Sequence, residues 1–333
     1  MNELQTLDLR GAGQTSRLRS VLGRRTEGRG LALLAIVVVA AAINEPLVFT
    51  SYQVTLGFVA LIGLVALGLT PVILMGELDL SVASTLAVSG VILASVPSLY
   101  LGIAAALGAG LLIGAINAFF VVKVGINSFI ATLGMLFALR GLAFVLSDEK
   151  PVPVTNIDAA INFGLPLIGP ITPRVIIFAL VFVALQVFLT KARAGRELYA
   201  VGGNREAARD AGIPVSRRLF SGFMISGLVA ALAGVVNTLT LTAADPTAGS
   251  TVLLASIAAA IIGGVVLTGG RGSVLGTLIG ALSLGILSVT LTFIGVQVDI
   301  QQIFIGGVLF LAVITDPASL KAAVGTIRST LGR

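Results

Sequence analysis

The sequence predicts an all-α, polytopic membrane protein of about ten transmembrane helices. Hydrophobic residues make up 56% of the chain and charged residues only 11%, with a mean hydropathy of +1.08, so there is too little polar surface to cover a soluble globule. Apolar stretches near the ~20 residues that a bilayer demands recur along the chain. Lys and Arg concentrate in alternate connections between these stretches, as the positive-inside rule requires.

The first span follows a basic amino-terminal segment. Residues 1–30 contain six arginines and precede an apolar run over 31–43, so we expect 1–30 to be cytoplasmic. The run is short and ends in alanines, which is also typical of a cleaved signal peptide. We favour a retained anchor helix, because the basic segment is long and residues 47–49 can extend the span past Glu45 and Pro46.

Nine further spans complete the predicted bundle. Their approximate limits are 54–75, 80–98, 100–122, 127–147, 174–190, 218–242, 251–267, 273–294 and 300–315. Pairs of glycines on two of these spans, Gly110 with Gly114 and Gly276 with Gly280, predict close helix packing, because small residues let two backbones approach in lipid.

The distribution of basic residues supports ten helices with both termini cytoplasmic. Of the 21 Lys and Arg residues, 18 fall in segments assigned to the cytoplasm: six before the first span, seven within 191–218, three after residue 316, Lys123 and Arg271. Lys150 and Arg174 fall outside, and Arg140 lies within a span.

Three regions follow from this topology. They are a cytoplasmic segment 1–30, a transmembrane region 31–316 and a cytoplasmic tail 317–333. Within the transmembrane region, the external segment 148–174 is rich in Pro, Asn and Gly, and we expect a partly ordered cap on the outer face.

Several function classes are disfavoured by composition. The chain has no cysteine and no histidine, so it lacks the usual thiol nucleophile, metal ligand and general base. We expect no metal, no cofactor and no enzymatic activity. No Gly-Lys dipeptide occurs, so there is no phosphate-binding loop, and any ATP hydrolysis belongs to another chain. The net charge of +6 sorts by membrane side rather than forming a soluble patch, which argues for membrane lipid and against nucleic acid as a partner.

Residues 191–218 form the long charged interruption of the apolar sequence and predict a docking loop. Asn204 can cap a short helix whose first turn carries Glu206, Gly212 supplies its end, and Pro214 forbids its extension. The interior of this helix consists of Ala207, Ala208, Arg209, Asp210 and Ala211. The alternative is an ordinary solvated, positively charged loop.

Two carboxylates lie between apolar spans in the stretch GELDLS at 76–81. Ionisable groups at such places usually face the protein interior or a water-filled cavity. If the two spans meet short of the interface, Asp79 caps the second one. The alternative is an acidic loop at the inner surface that exposes Glu77 and Asp79.

Other polar residues lie within or beside spans. Arg140 either extends to the lipid headgroups or lines a polar path and pairs with a carboxylate or carbonyl. We favour the second alternative, because Gly134 and Gly141 predict close packing of the same span. For three asparagines we expect hydrogen bonds between helices. The candidates for lining a path are Asp79, Ser81, Asn117, Asn127, Arg140 and Asn237.

The stretch GGRGS at 269–273 superficially matches a dinucleotide-binding fingerprint. No strand precedes it, and a membrane span follows, so we reject that interpretation. A tight cytoplasmic turn that needs several permissive backbones explains these glycines.

Four motifs together resemble the ribose-type permeases of bacterial ABC importers. They are GELDLS at 76–81, NSFIATLGM at 127–135 followed by Arg140-Gly141, GRELYAVGGNREAARDAGI at 195–213 and IIGGVVLTGGRGSVLGTLIGAL at 261–282. The resemblance covers most of residues 50–316. It departs from the family at Glu77, where Gly is usual, and at Ser128, where a turn residue of the proline type is common.

The resemblance implies a permease of about ten helices that dimerises in the bacterial inner membrane. A cytoplasmic ATPase subunit then engages the helix bearing Glu206, Ala207 and Ala208 with Gly212, and an extracytoplasmic binding protein delivers a small sugar, such as a pentose, a hexose or a related polyol. Whether the dimer is formed by two copies of this chain or by two different chains stays open. The alternative function is an ion-coupled secondary transporter that uses Glu77 or Asp79.

Overall fold

The computed structural model describes residues 28–169 and 171–314 and forms a bundle of α-helices. In chain order the helices are α1 (Gly28–Asn44), α2 (Leu47–Thr50), α3 (Tyr52–Leu74), α4 (Val82–Ser95), α5 (Leu99–Phe119), α6 (Ser128–Ser147), α7 (Ile157–Gly164), α8 (Pro173–Lys191), α9 (Arg193–Gly203), α10 (Arg205–Asp210), α11 (Val215–Leu241), α12 (Ser250–Ile262), α13 (Val274–Phe293) and α14 (Val298–Ile314). A π-helical turn, Phe120–Val124, extends α5. Strands β1 (Val152–Pro153) and β2 (Ala243–Ala244) pair antiparallel.

The number of apolar helices agrees with the sequence prediction. Within the described part of the chain, six helices are long and apolar enough to cross a membrane, namely α3, α5 with its π turn, α6, α8, α11 and α13. Four shorter apolar helices, α1, α4, α12 and α14, bring the total to ten. The all-α, polytopic class is therefore confirmed.

Three helices form the centre of the bundle. Buried residues make up 83% of the apolar window of α3, 72% of that of α13 and 67% of that of α11, compared with 17% for α6 and α8. The peripheral helices expose large apolar side chains such as Phe137 and Leu180, which suit contact with lipid tails. The 27 residues of α11 span roughly 40 Å, so α10 and β2, which flank it, mark opposite ends of the bundle.

Glycines bring helix backbones into direct contact in the core. An added Cβ on Gly110 or Gly114 of α5 would collide with the backbone of α11, and one on Gly227 would collide with α5. Gly276 and Gly280 of α13 likewise lie against the backbone at the end of α12. The close packing predicted from these two glycine pairs is confirmed.

Two crossings of the bundle are interrupted. Helix α4 has 14 residues and α12 has 13, so each covers only about 20 Å, less than the ~30 Å of hydrocarbon. The loop over residues 75–81, which precedes α4, completes the first crossing. Helix α3 ends before this loop because Gly76 adopts a φ of 73°, and the N–H of Glu77 bonds back to the Val72 carbonyl at 3.1 Å.

The second interruption is the segment over residues 242–249. Its Ala244 lies against Gly90 near the middle of α4, and Gly249 contacts Ala83 at the start of that helix. Ala83 and Gly90 are seven positions apart on α4, so the segment runs along α4 for about 10 Å before α12 begins. Non-helical backbone therefore enters the bundle next to the first turn of α4.

Several sequence predictions need correction. Helix α1 ends at Asn44, and residues 47–50 form the separate helix α2, because Pro46 cannot donate the backbone bond that would extend α1. The predicted spans 80–98 and 251–267 are shorter helices preceded by non-helical segments. The loop 191–218 holds an unpredicted helix, α9, and the segment 148–174 holds β1 and α7. The predicted cytoplasmic end over 1–27 and the tail over 317–333 lie outside the described residues.

The contact between α5 and α11 generates the first prediction. We expect Gly114→Ala to lower the melting temperature of the purified protein in detergent, because the new methyl group meets the Phe223 carbonyl and overpacking typically costs about 1–3 kcal/mol. Gly108→Ala on the same helix is the matched control. Nothing lies within 4 Å of its added Cβ, so it should be neutral or stabilising through helix propensity. Equal melting temperatures for the two variants would contradict the close contact.

Candidate functional site

A buried polar cluster lies where α4 begins, and we call it the Asp79 cluster (Asp79, Ser81, Asn117 and Ser226). Asp79 is 1% exposed. Its Oδ1 accepts hydrogen bonds from the Ser81 N–H at 3.1 Å and the Ser81 hydroxyl at 2.6 Å, and its Oδ2 accepts one from the Ser226 hydroxyl at 2.8 Å. Both oxygens of this buried carboxyl group thus accept hydrogen bonds from neutral donors, which reduces the cost of its burial.

Asn117 joins the Asp79 cluster from α5. Its Nδ2 donates to the Ser81 hydroxyl at 2.8 Å and lies 3.4 Å from Asp79 Oδ1. The sequence suggested that Asp79 caps α4, but in the structure it does not. Ser81 occupies the N-cap position without a capping side-chain bond, and Asp79 instead closes the turn that precedes it. In the structure, Glu77 and Asp79 lie in the protein interior and not in an exposed acidic loop.

Helix α6 holds the 75–81 loop from the side. The N–H of Leu78 donates to the Ser128 hydroxyl at 3.2 Å, and the N–H of Leu80 donates to the Thr132 hydroxyl at 3.1 Å. Both N–H groups belong to the break between α3 and α4, where no helical partner exists for them. Ser128 therefore supplies an acceptor at the position where the sequence departs from the resemblance.

The 75–81 loop also contacts α10 directly. The Arg205 guanidinium forms an ion pair with the Glu77 carboxylate, and the same Nη2 atom donates to the Met75 carbonyl at 3.1 Å. Glu77 is 8% exposed, whereas the Arg205 side chain is 43% exposed. These two residues are 128 positions apart in the sequence, and no sequence pattern brought them together.

The short helix predicted around Asn204 is confirmed as α10. The Asn204 side chain accepts the Ala207 N–H at 3.0 Å, and Glu206 lies in the first turn. Gly212 has a φ of 76° and follows the last turn, where the Ile213 N–H reaches the Ala208 carbonyl at 2.9 Å. The sequence spacing thus specified both ends of this helix.

The exposed surface of α10 is narrower than the sequence suggested. Ala208 is only 4% exposed and packs into the core beneath the helix. The residues that α10 exposes besides Arg205 are Glu206, Ala207, Arg209 and Asp210. We call these four the α10 face. Ala208 therefore cannot contact a partner in the way that Ala207 can.

Helix α9 is tied to the bundle by a second charged group. The Glu197 carboxylate bonds Arg193 at 2.7 Å on its own helix and Arg218 at 2.6 Å on α11. Hydrogen bonds from Arg193 and Arg218 lower the pKa of Glu197 from its ordinary value of 4.5. These ion pairs therefore contribute stability above that value and lose it as the pH falls through the lowered pKa.

The glycine-rich turn at 269–272 packs against α9. Gly269 and Gly270 have φ angles of 85° and 75°, so the predicted tight turn is confirmed. The Gly270 N–H donates to the Leu74 carbonyl at 2.8 Å, and Gly202 of α9 lies so close to the same carbonyl that no Cβ would fit. The end of α3 is thus held by this turn and by α9 as well as by Arg205.

Arg140 serves the second interruption. Its Nη1 donates to the Pro246 carbonyl at 2.5 Å and to the Ala248 carbonyl at 3.1 Å, both in the 242–249 segment. The half-buried guanidinium thus pairs with carbonyls, one of the two arrangements that the sequence left open. The close packing expected at Gly134 and Gly141 is wrong for the described residues, since nothing lies within 4 Å of a Cβ added at either position.

The three asparagines have different outcomes. Asn117 links helices through the Asp79 cluster, as expected. The expectation is wrong for Asn127, which caps its own helix α6 by accepting the Phe129 N–H at 2.9 Å, and for Asn237, which has no hydrogen-bond partner among residues 28–169 and 171–314. Sequence reasoning missed Ser226, because a serine within a span carries no signal that separates a cluster member from a residue that bonds its own helix.

Known proteins are similar in sequence to this chain over most of its length. The family described as "Branched-chain amino acid transport system / permease component" matches residues 51–313. The ribose import permease protein RbsC of Escherichia coli K12 is 38% identical over 314 residues, which are 90% of this chain and 98% of that protein. RbsC of Bacillus subtilis is 37% identical and covers 87% of this chain and 92% of its own.

A third relative, the D-allose transport system permease protein AlsC of Escherichia coli, is 36% identical over 85% of this chain and 89% of its own. No solved structure matches the chain. The resemblance expected from the four motifs is confirmed, and the chain belongs to the family of ABC transporter permease components in which these ribose and allose permeases lie.

Proposed function

We propose that this permease subunit carries a small sugar through the bacterial inner membrane, driven by a separate cytoplasmic ATPase and supplied by an extracytoplasmic binding protein. The observation that carries the proposal is the exposed α10 face, which stands at one end of the bundle while Arg205 on the same helix reaches the interrupted crossing. A docked partner at α10 would therefore contact a helix that is bonded to the interior.

The charge distribution supports a cytoplasmic position for α10. Seven of the 21 Lys and Arg residues fall within 191–218, and basic connections face the cytoplasm. An ATPase that docks there would meet Glu206 and Arg209 on either side of Ala207, so that charge complementarity can set the register of the complex. The opposite end, with β1, β2 and α7, would then face the binding protein.

The path for the solute is proposed to run between the two interrupted crossings. Unwound backbone inside a membrane protein is tolerated where it is buried in protein or lines a cavity. Discontinuous helices frame the substrate sites of many transporters. Gly249 of the 242–249 segment contacts Ala83, two residues beyond the end of the 75–81 loop, which makes this region the candidate for the constriction.

A sugar is favoured over a charged solute. Relatives are described as permeases for ribose, D-allose and L-arabinose, although the family description names branched-chain amino acids. An amino acid needs a pair of opposite charges to receive it. Here the charged groups at the two interruptions are occupied, since Arg140 binds two carbonyls and Asp79 binds hydroxyl and amide donors.

The ion-coupled alternative is not supported. Asp79 already accepts hydrogen bonds from Ser81 and Ser226, and Glu77 is paired with Arg205. The relatives are likewise permeases of ABC systems, in which ATP supplies the energy.

Transport measurements test this proposal as a whole. Tagged permease from its native membrane should bring an ATPase subunit with it, and vesicles with that ATPase and the binding protein should take up a pentose or hexose only with ATP. Uptake of leucine under the same conditions is the control for the substrate class. Copies of the permease with two different tags should purify together if the dimer contains two copies of this chain. Purification without any ATPase would contradict the proposal.

The α10 face generates the second prediction. Ala207→Trp should reduce both the co-purified ATPase and the uptake about tenfold or more, because a bulky side chain overfills a close interface. Ala207→Ser should stay near wild type. Since Ala207 is exposed, both variants should keep the melting temperature of the wild type. Surface substitutions usually change the free energy of unfolding by no more than roughly 0.5 kcal/mol. Full uptake with Ala207→Trp would reject docking at this face.

Buried Ala208 provides an internal comparison for the same helix. Ala208→Trp should lower the melting temperature, because the side chain has no room in the core beneath α10. Gly212→Val should also weaken the end of α10, since a β-branched residue is strained at a φ of 76°. A loss of docking in these variants thus comes with a loss of stability, whereas Ala207→Trp separates the two.

Arg140 generates the third prediction. Arg140→Leu should abolish uptake while the protein still assembles with the ATPase, because two carbonyls of the 242–249 segment lose their donor and hydrogen bonds to charged groups contribute about 1.5–3 kcal/mol each. Arg140→Lys keeps a charged donor and should retain partial uptake. Phe137→Leu, at an exposed position of the same helix, is the control and should behave as wild type. Unchanged uptake with Arg140→Leu would favour a side chain that merely extends to the headgroups.

A further inference from the structure

The contact between Arg205 and Glu77 joins two parts of the molecule with different surroundings. Arg205 is the first residue of α10, directly before the α10 face. Glu77 belongs to the 75–81 loop and is almost completely buried. There are three ion pairs among residues 28–169 and 171–314. Two involve Glu197, one within α9 and one between α9 and α11. The third is the pair of Arg205 and Glu77.

Arg205 makes two contacts with the 75–81 loop. Its Nη2 atom bonds both the Glu77 carboxylate and the Met75 carbonyl at the end of α3. If α10 rotates or shifts, either the backbone of residues 75–77 moves with it or a charged hydrogen bond breaks. Charged hydrogen bonds are among the stronger ones in proteins, and Glu77 has little water available to replace the guanidinium.

The backbone of residues 75–77 continues directly into the Asp79 cluster. Leu78 and Leu80, on either side of Asp79, are bonded to Ser128 and Thr132 of α6. Asp79 itself is bonded to Ser226 of α11, and Asn117 of α5 completes the cluster. A movement at Glu77 thus changes bonds to three helices within four residues of chain.

We propose that Glu77 and Arg205 are positioning residues that transmit movement of α10 to the 75–81 loop and so open or close the interrupted crossing. This inference rests on the proposed function, because it takes α10 as the helix that the ATPase moves. The pair acts as a unit: the carboxylate and the guanidinium each matter through the other. Docking of the ATPase on the α10 face does not require the pair.

The test is a double-mutant cycle with transport efficiency as the readout. Glu77→Gln, Arg205→Gln and the double variant are assembled with the ATPase and the binding protein, and sugar uptake is divided by ATP hydrolysed. Coupling between distant sites typically amounts to about 5- to 150-fold. Each single variant should lower the ratio at least about fivefold, and the double variant should be no worse than the more affected single variant.

Matched controls separate transmission from general damage. Arg193→Gln removes the guanidinium of another ion pair in the same segment, but this pair lies within α9, so the ratio should not change. Arg205→Lys keeps the positive charge and should recover part of the ratio lost in Arg205→Gln. A role confined to stability would lower the melting temperature and the amount of complex without changing uptake per ATP.

The outcomes distinguish this inference from the proposed function. If wild-type permease neither binds an ATPase nor takes up sugar, the proposed function fails. If wild type is active and the variants keep the wild-type ratio, or if the effects of the two single variants multiply in the double variant, the transmitting pair is rejected and the proposed function stands.

A second measurement covers variants with too little uptake to quantify. The chain has no cysteine, so Leu80→Cys supplies the only maleimide-reactive thiol of the permease. With the ATPase bound, addition of ATP should change its labelling rate in the otherwise wild-type protein and leave the rate unchanged when Glu77→Gln is added. The same ATP-dependent change in both proteins would overturn the proposal.

Discussion

The fold depends on the burial of one carboxylate inside an apolar bundle. An isolated charge at the position of Asp79 would be prohibitively costly, and hydrogen bonds from Ser81, Asn117 and Ser226 make its burial possible. These donors come from the start of α4, from α5 and from α11. The cluster therefore fixes where three helices meet and where the interrupted crossing changes from loop to helix.

Each interruption frees backbone groups that the apolar surroundings cannot satisfy, and α6 supplies partners to both. At the 75–81 loop the free groups are N–H donors, and the acceptors are the hydroxyls of Ser128 and Thr132. At the 242–249 segment the free groups are carbonyls, and the donor is Arg140. An unpaired N–H requires an acceptor and an unpaired carbonyl requires a donor, so the unpaired backbone group determines which kind of side chain is needed at each site.

Sequence reasoning predicted the elements that depend on local rules. Hydropathy and charge specified ten apolar helices, and the spacing from Asn204 to Gly212 specified α10, because capping and a glycine stop act within a few residues. Sequence reasoning placed the polar segments before α4 and α12 in connections between spans. It did not predict that they lie inside the bundle, since a hydropathy window finds apolar spans and says nothing about the depth of the segments between them. The partnership of Arg205 with Glu77 depends on packing between distant segments, which no local pattern encodes.

The glycine contacts and the Asp79 cluster reinforce one another. Gly114 of α5 lies three residues before Asn117, and Gly227 of α11 directly follows Ser226, so the crossing of these helices lies beside the two side chains that α5 and α11 contribute to the cluster. Backbone contact at the glycines keeps the helices, and hence these two side chains, at a fixed separation. The pair α5–α11 thus forms a rigid reference, and a force applied through Arg205 is taken up by the 75–81 loop, whose backbone is held by side chains and not by a helical ladder.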